Sequence, residues 1–140
     1  METPVHLGRT LGLAEAQATP LWVAEAVGQG LPMAALDNLV DLLAPEDDSL
    51  RFAFVPRATL HRRGRTQRLS PEESAKVARV AAVFALAREV WGSDAEARAF
   101  LNRRHLLLDD RTPLEVALAT DLGARLVEQI LGQLHYGTAV

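Results

Sequence analysis

The chain has 140 residues, of which 49% are hydrophobic and 24% are charged, with 15 basic residues, 18 acidic residues, a formal net charge of −3 and no cysteine. This length predicts one domain, or two small ones that share a core, and the composition excludes a disordered chain. The absence of cysteine excludes a disulfide scaffold, a zinc site with cysteine ligands and an enzyme with a cysteine nucleophile.

The sequence also indicates where the protein works. No apolar run approaches the roughly 20 residues that span a bilayer, and the N-terminus lacks the pattern of a signal peptide. We therefore expect a cytoplasmic protein that does not contact a membrane.

The basic residues are concentrated in one short segment. Residues 1–50 carry a net charge of −7, residues 51–71 carry +6 without a single acid, and residues 72–140 carry −2. A basic stripe in an otherwise acidic chain is the pattern expected for local contact with phosphate groups. A solvated, arginine-rich connector would give the same pattern, so charge alone leaves both interpretations open.

Helix-start and helix-stop signals divide the first half of the chain. Residues 1–18 lack a clear amphipathic pattern and are predicted to form an N-terminal arm or a frayed helix. Thr19-Pro20 predicts a helix that ends at Gly28 and Gly30, and Pro32 opens a second helix that stops at Pro45. A short apolar helix is predicted over Leu50–Val55, followed by another short helix over residues 57–64.

Three capping boxes organise the second half and favour an all-α fold. Ser70 starts a helix that reaches Trp91, Ser93 starts a second and Thr112 a third, while Asp121 is predicted to cap a last helix that ends at Gly137. Residues 106–108 are interpreted as a buried connection between helices. The residues expected on the apolar faces are Val77, Val80, Ala81, Phe84, Ala87 and Trp91 in the first helix, Ala97, Phe100 and Leu101 in the second, and Leu122, Val127, Ile130, Leu131 and Leu134 in the last.

The sequence contains no pattern that indicates catalysis. The four histidines are scattered, without the spacing of metal ligands, and no glycine-rich phosphate loop or nucleophile elbow is present. Asp109-Asp110 is interpreted as a polar turn, because adjacent loop residues point apart. We therefore expect no enzymatic activity, no metal and no cofactor.

The basic stripe follows helices with the lengths of a helix-turn-helix unit. In such a unit the last helix enters the major groove of DNA. Arginine suits this position because its planar fork bonds phosphate, or the O6 and N7 atoms of guanine, through two hydrogen bonds. The predicted DNA-contacting residues are Arg57, Thr59, His61, Arg62, Arg63 and Arg65.

Several segments, in their order and spacing, resemble antitoxins of the Xre/ParS/MbcA type. Thr59–Arg63 followed by Arg68–Ser74 is similar to the junction at which, in that family, a DNA-binding unit continues into a helical toxin-binding domain. Two departures concern one loop: Arg103-Arg104-His105 replaces a proline-bearing turn, and Asp109-Asp110 replaces positions that are often glycine. The resemblance covers residues 20–137 and continues through Val90-Trp91-Gly92, Ala99-Phe100-Leu101-Asn102, Arg111-Thr112-Pro113-Leu114, Gly123-Ala124-Arg125, Val127, Leu131 and Tyr136-Gly137.

The resemblance implies a non-enzymatic antitoxin of a type II toxin–antitoxin pair. The expected divisions are an arm over residues 1–18, an Xre-like helix-turn-helix region over residues 19–68, and a helical toxin-binding and dimerisation domain over residues 69–140. The expected partners are operator DNA and a RES-domain toxin, which attacks NAD or uses it for ADP-ribosylation and whose active-site cleft the antitoxin covers. The residues expected to contact the toxin are Pro113, Leu131, Leu134, His135, Tyr136 and Gly137.

Other interpretations stay open at this point. A homodimer is expected, because a helix-turn-helix reader commonly matches a palindromic site. The same fold could serve a stand-alone transcriptional regulator whose C-terminal domain only dimerises. It could also serve a structural or adaptor domain whose arginine stripe is solvated surface, and Tyr136 could simply pack on the end of the last helix. A toxin gene beside this one, and DNA binding by the isolated protein, would separate these alternatives.

Overall fold

The computed structural model describes residues 10–12, 19–64 and 67–135, and within them the fold is all-α, as predicted. Two short 3-10 segments, Leu50–Ala53 and Leu106–Leu108, connect the α-helices. Most of the predicted arm lies outside the described residues. No helix in the described ranges is both long enough and apolar enough to cross a membrane. The α-helices are α1 (Pro20–Gln29), α2 (Met33–Leu43), α3 (Arg57–Arg62), α4 (Pro71–Trp91), α5 (Asp94–Leu101), α6 (Pro113–Ala119) and α7 (Asp121–His135).

The central element is α4, which packs against α1, α2, α5, α6 and α7. The sequence predicted one apolar face for this helix. Instead, the consecutive residues 83–87 are all buried, which places every side of the helix at that level inside the protein. A helix that is apolar all round is stable only when neighbouring elements surround it. Trp91, assigned to the apolar face, lies at the helix end and is exposed.

One continuous core joins the two halves of the chain. Leu36 and Leu39 of α2 belong to the same buried cluster as Phe84 of α4, Leu101 of α5 and Val127 of α7. Both halves bury their apolar faces against the same helix, so neither half closes a core alone. The shared core that the chain length predicted is present.

The predicted helix starts are confirmed by their hydrogen bonds. The hydroxyl of Thr19 accepts from the Trp22 N–H at 3.1 Å. Ser70 and Thr112 form complete capping boxes, in which each hydroxyl accepts from a glutamate N–H and that glutamate's carboxylate accepts from the capping residue's N–H. Ser93 accepts from the Glu96 N–H at 3.1 Å. These caps satisfy N–H groups that the first turn of a helix leaves free.

Two local predictions were wrong. The cap of α7 is Thr120, whose hydroxyl accepts from the Gly123 N–H at 2.8 Å, and Asp121 is the first helical residue, where its charge favours the helix dipole. The connection over residues 106–108 is not buried as a whole: Leu108 enters the core, whereas Leu106 and Leu107 are exposed. A 3-10 turn of three residues cannot direct all of its side chains to one side.

The chain between α1 and α2 is fastened to the start of α4. The Leu31 N–H donates to the hydroxyl of Ser74 at 2.8 Å in a buried position, and the Leu69 N–H donates to the Leu31 carbonyl at 2.8 Å. Gly30 precedes this contact with a φ of +98°, and a Cβ there would lie 2.4 Å from the Leu69 carbonyl oxygen. Only glycine fits this approach of two backbone segments.

Arginine and asparagine side chains satisfy the carbonyl ends of helices. Arg98 of α5 donates to the Leu42 carbonyl at 2.8 Å, and Asn102 donates to the Leu43 carbonyl at 3.2 Å, at the end of α2. Arg79 of α4 donates to the carbonyls of residues 117 and 118, at 2.9 and 2.6 Å, at the end of α6. The last carbonyls of a helix lack partners within the helix, so these side-chain donors stabilise both ends.

An ion pair fastens α3 to α4. Nη1 of Arg63 donates to Oε1 of Glu73 at 2.5 Å, and Nη2 donates to Oε2 at 3.4 Å, with both side chains mostly buried. Glu73 also accepts from the Ser70 N–H at 2.8 Å within the capping box. Burial alone raises the pKa of Glu73, but the hydrogen bonds from Arg63 and Ser70 and the charge of Arg63 lower this pKa by more, so it lies below its ordinary value.

We expect the Ser74→Ala substitution to lower the free energy of unfolding by about 1–3 kcal/mol, because it leaves the buried Leu31 N–H without an acceptor. Helix propensity acts in the opposite direction, since alanine is the better helix former. The measurement is urea unfolding followed by circular dichroism. The matched control is Ala75→Ser at the neighbouring exposed position, with an expected change of a few tenths of a kcal/mol. Equal stabilities of Ser74→Ala and the wild type would contradict the buried hydrogen bond.

We expect Glu73→Gln to destabilise the protein by about 1–2 kcal/mol at pH 7, because glutamine keeps the capping bond but loses the ion pair with Arg63. Since the pKa of Glu73 is lower in the folded protein, its charge contributes stability above the unfolded pKa of about 4.3. That contribution is lost as the pH falls through the folded pKa. The difference between wild type and variant should therefore shrink in acid.

Chemical unfolding at a series of pH values from 7 to 3 tests this. The control is Glu115→Gln in the exposed capping box of α6, where Thr112 supplies the carboxylate's hydrogen bonds and no arginine does so among the described residues. The control should lose less stability. Equal losses in the two variants at pH 7 would show that the Arg63 pair adds nothing.

Candidate DNA and toxin interfaces

The predicted DNA-contacting segment is the short helix α3, which follows α2 and the 3-10 segment Leu50–Ala53. These three elements enclose a cleft of about 280 Å³. The floor of the cleft is apolar, with Leu36, Phe52 and Leu60, and charged side chains stand around it. Leu60 packs α3 against the core, and Arg57, His61 and Arg62 remain exposed.

The structure places three predicted DNA-contacting residues on the surface of α3. Arg57, His61 and Arg62 are exposed, while Thr59 is half-buried. Arg57 and His61 are four residues apart and therefore share one side of the helix. The guanidinium of Arg57 lies 4.1 Å from the ring centroid of Phe52, in a cation–π contact that orients it. Arg62 makes no hydrogen bond or ion pair with the described residues.

Other arginines of the basic stripe are engaged within the protein. Arg63 is held by Glu73, as described above, and Arg68 donates to the Gly30 carbonyl at 3.1 Å. Arg51 pairs with Asp37 of α2 at 3.3 Å and donates to a carbonyl of the preceding turn. Arg65 lies outside the described residues. The stripe is therefore not a uniform set of phosphate ligands, and its exposed part is concentrated on α3.

The predicted toxin-contacting residues separate into two groups. Pro113, at the first position of α6, is buried, and Leu131 of α7 is 0% exposed within the core. Leu134 is 37% exposed and His135 is exposed at the end of α7. Tyr136 and Gly137 lie outside the described residues. The described part of this set therefore reaches the surface at the C-terminal end of α7.

The outer side of α7 carries apolar residues that the sequence analysis placed in the core or omitted. Leu122, predicted on the buried face, is 76% exposed, and Leu126, one turn later, is also exposed. Arg125, which lies beside these leucines, forms an ion pair with Asp121, with 3.0 Å between Nη2 and Oδ2. Burial raises the pKa of Glu128 on the same helix, and repulsion from Asp121 adds to this effect. The four-residue spacing of the two leucines in the sequence indicates that they share one face of α7. The spacing alone does not show whether this face packs against α4 or faces outward.

A closed turn over residues 105–111 projects between α5 and α6. The His105 N–H donates to the Arg111 carbonyl, and the Asp110 N–H donates to the His105 carbonyl, both at 3.0 Å. Asp109 and Asp110 have φ angles of +55° and +63°. These left-handed conformations favour glycine, the residue that the family resemblance led us to expect here. The polar turn predicted for this pair is therefore present.

Side-chain contacts with the rest of the protein hold the turn in place. Leu108 enters the core, and the ring of His105 meets Phe100 edge-on, with 6.3 Å between centroids. Arg104 donates to the Asp110 carbonyl at 2.8 Å. Leu106 and Leu107 are left on the outside, with exposed fractions of 88% and 51%. No residue type in this segment signals such exposure, because a 3-10 segment of three residues is only one turn long and cannot show a repeating pattern.

Within residues 10–12, 19–64 and 67–135, no group of three or more histidine, aspartate and glutamate side chains is arranged to hold a metal ion. The surfaces described above offer exposed cations on α3 and exposed apolar side chains on α7 and the turn. Such surfaces are suited to binding macromolecules.

Comparisons with known proteins agree with this arrangement. A family model described as the antitoxin Xre-like helix-turn-helix domain matches residues 23–82. A second, described as the antitoxin Xre/MbcA/ParS C-terminal toxin-binding domain, matches residues 86–137. The chain is also 30% identical, over 135 residues, to the protein named Antitoxin Xre from Yersinia enterocolitica serotype O:8 / biotype 1B (strain NCTC 13174 / 8081). The aligned residues are 94% of this chain and 88% of that relative.

The resemblance found in the sequence is thereby confirmed. The helix-turn-helix match contains α2 and α3, and the toxin-binding match contains the turn over residues 105–111 and the whole of α7. The chain belongs to the Xre/MbcA/ParS family of antitoxins, with an Xre-like helix-turn-helix region followed by a C-terminal toxin-binding domain.

Proposed function

We propose that this antitoxin neutralises a RES-domain toxin, which consumes NAD or uses it for ADP-ribosylation, and represses its own operon by binding DNA. The proposed division places the helix-turn-helix region at residues 19–68 and the toxin-binding and dimerisation domain at residues 69–140. The observation that carries the proposal is the separation of two surfaces: exposed cations on α3, and the exposed side chains of Leu122, Leu126 and Leu134 along α7.

The proposed DNA contact uses Arg57, His61 and Arg62, which are exposed on α3. Cationic side chains on a short helix held against a supporting helix are suited to phosphate and base contacts in the major groove. For Arg63 we propose a positioning role, because its guanidinium is already bonded to Glu73. A homodimer would present two copies of α3 to the half-sites of a palindromic operator.

The proposed toxin contact lies where α7 ends. An enzyme that acts on a dinucleotide binds it in a concave cleft, and a protein segment that fills the cleft excludes the substrate. Leu134 and His135 bring the chain to the surface at this point, and Tyr136 offers an aromatic anchor of the kind that dominates interface energies. Pro113 and Leu131 are buried, so they would contribute indirectly, by stabilising α6 and α7.

We expect Arg62→Ala to weaken binding to operator DNA without changing the melting temperature, because Arg62 is exposed and bonded to no described residue. If Arg62 contacts a phosphate, the slope of log K against log salt concentration should become flatter by about 0.9. If it contacts a base, affinity should fall by about 1–3 kcal/mol with relaxed preference at one base pair. Fluorescence anisotropy with operator DNA at several salt concentrations measures both quantities.

Two variants make this experiment specific. Arg103→Ala removes an exposed arginine from the toxin-binding half and should leave DNA binding unchanged. Arg63→Ala should lower the melting temperature, since it breaks the pair with Glu73, which distinguishes a positioning arginine from a contacting one. An Arg62→Ala protein with the affinity and salt slope of the wild type would remove Arg62 from the DNA interface.

We expect deletion of the residues after Gln133 to abolish most of the protection against a co-expressed toxin while DNA binding remains. The deletion leaves the Thr120 cap and the buried residues through Leu131 in place, so fraying should cost only about 1–2 kcal/mol. A growth-rescue assay with the toxin encoded beside this gene, paired with a DNA-shift assay, tests the separation. The Arg62→Ala variant is the reciprocal control and should rescue growth fully.

The outcomes distinguish the alternatives. Full rescue by the truncated chain would place the inhibitory contact elsewhere in residues 86–133. Failure of the wild-type chain to bind any neighbouring gene product, together with intact DNA binding, would favour a stand-alone regulator whose C-terminal domain only dimerises.

A further inference from the structure

We propose that the turn over residues 105–111 is a preformed anchor, and that Leu106 and Leu107 insert together into an apolar pocket on the surface of the toxin. This inference rests on the proposed function, because it takes the toxin as the partner. It is separate from the contact proposed for residues 134–137, since it concerns docking on the toxin rather than filling of the substrate cleft.

The turn combines exposed apolar side chains with an ordered backbone. A single exposed leucine is common on protein surfaces, but here two adjacent leucines project from one closed turn. The turn is fixed by two backbone hydrogen bonds between its ends and by the buried side chain of Leu108. A side chain presented by an ordered turn loses little conformational entropy on binding, so most of its burial contributes to affinity.

The backbone of the turn is held in an uncommon conformation. Asp109 and Asp110 both adopt left-handed conformations, which carry a steric cost for residues other than glycine. Such conformations persist where the surrounding contacts fix them, and they cluster at binding sites. In this turn they reverse the chain immediately after Leu108, which keeps the two preceding leucines outside the core.

A second copy of this chain is the alternative occupant. A symmetric contact between two turns around a two-fold axis would appear as self-association that depends on the two leucines. Insertion of the turn into the cleft beside α3 of another copy would be a head-to-tail contact, which extends into open chains unless it closes a ring.

The toxin is the partner that the comparisons indicate. Residues 86–137 match a domain described as toxin-binding, and the turn lies within that range. The charges near the turn balance, with Arg103, Arg104 and Arg111 opposed by Asp109, Asp110 and Glu115. Net charge therefore does not select the partner at this point, and we expect the leucine contact to depend weakly on salt, unlike DNA binding.

The test measures binding of the full-length antitoxin to the purified toxin encoded by the neighbouring reading frame, made catalytically inactive so that it can be produced. Titration calorimetry compares the wild type with the double variant Leu106→Ser/Leu107→Ser. We expect at least a 100-fold weaker affinity, because paired apolar anchors at an interface commonly dominate binding. The conservative variant Leu106→Met/Leu107→Met should stay within about tenfold of the wild type, since methionine fills a similar apolar volume.

A matched control uses an exposed leucine outside the toxin-binding match. Leu21→Ser on α1 removes a side chain of 68% exposure and should leave the toxin affinity within about threefold. Circular dichroism and thermal melting establish that each variant is folded. Sedimentation of each antitoxin alone reports its oligomeric state, and anisotropy reports its binding to operator DNA.

The outcomes separate this inference from the function it rests on. If the wild type does not bind the toxin, the proposed function fails and the inference fails with it. If the wild type binds and the folded serine double variant binds equally well, the inference alone is overturned. If the double variant loses self-association instead of toxin affinity, the turn contacts a second copy and the inference is also overturned. Selective loss of toxin affinity, with DNA binding and oligomeric state retained, supports it.

Discussion

The burial of α4 on all sides is the constraint on which the rest of this structure depends. A helix without a solvated face at residues 83–87 is stable only if other helices cover it, and α1, α2, α5, α6 and α7 supply that cover. The polar groups brought inside by this arrangement find partners, as the Ser74 hydroxyl does with the Leu31 N–H. Helix α3 is joined to the same centre by the Arg63–Glu73 pair. Helix α3 of the helix-turn-helix region and the toxin-binding domain are therefore both positioned by one element.

The arginines of this chain serve two purposes that charge counting does not separate. Arg79 and Arg98 close the carbonyl ends of neighbouring helices, and Arg63 joins two helices through a carboxylate. A guanidinium is suited to this because its donors spread in a plane and can reach a carbonyl at a distance from the backbone. In the basic stripe, Arg57 and Arg62 lie exposed on α3. The net charge of a segment therefore sets an upper limit on the number of arginines that can contact nucleic acid. It does not show which arginines those are.

Local rules predicted most of the secondary structure, because their physical basis is local. A cap at Ser70 or Thr112 depends on residues three positions apart, so its signature is contained in a short stretch of sequence. The all-α fold and the starts of the seven described α-helices followed to within a few residues. The exposure of Leu122 and the ion pair of Arg63 depend on which helix lies opposite, which a single sequence does not contain. The same holds for the turn over residues 105–111. Two of its leucines are apolar enough for the core but lie outside the core.

The shared core has a consequence for how such antitoxins can exchange parts. A chimera joined at residue 69 would place α4 of another antitoxin against α1 and α2 of this one. The side chains packed around Phe84 would then no longer be complementary in shape. The two family matches meet inside α4, between residues 82 and 86, where the helix is buried all round. A crossover at Gly92, the exposed residue in the left-handed conformation that ends α4, would not avoid this, because α5, α6 and α7 also pack on α4. An exchange of toxin-binding halves between such antitoxins therefore requires the side chains of α4 to change together with the helices that cover it.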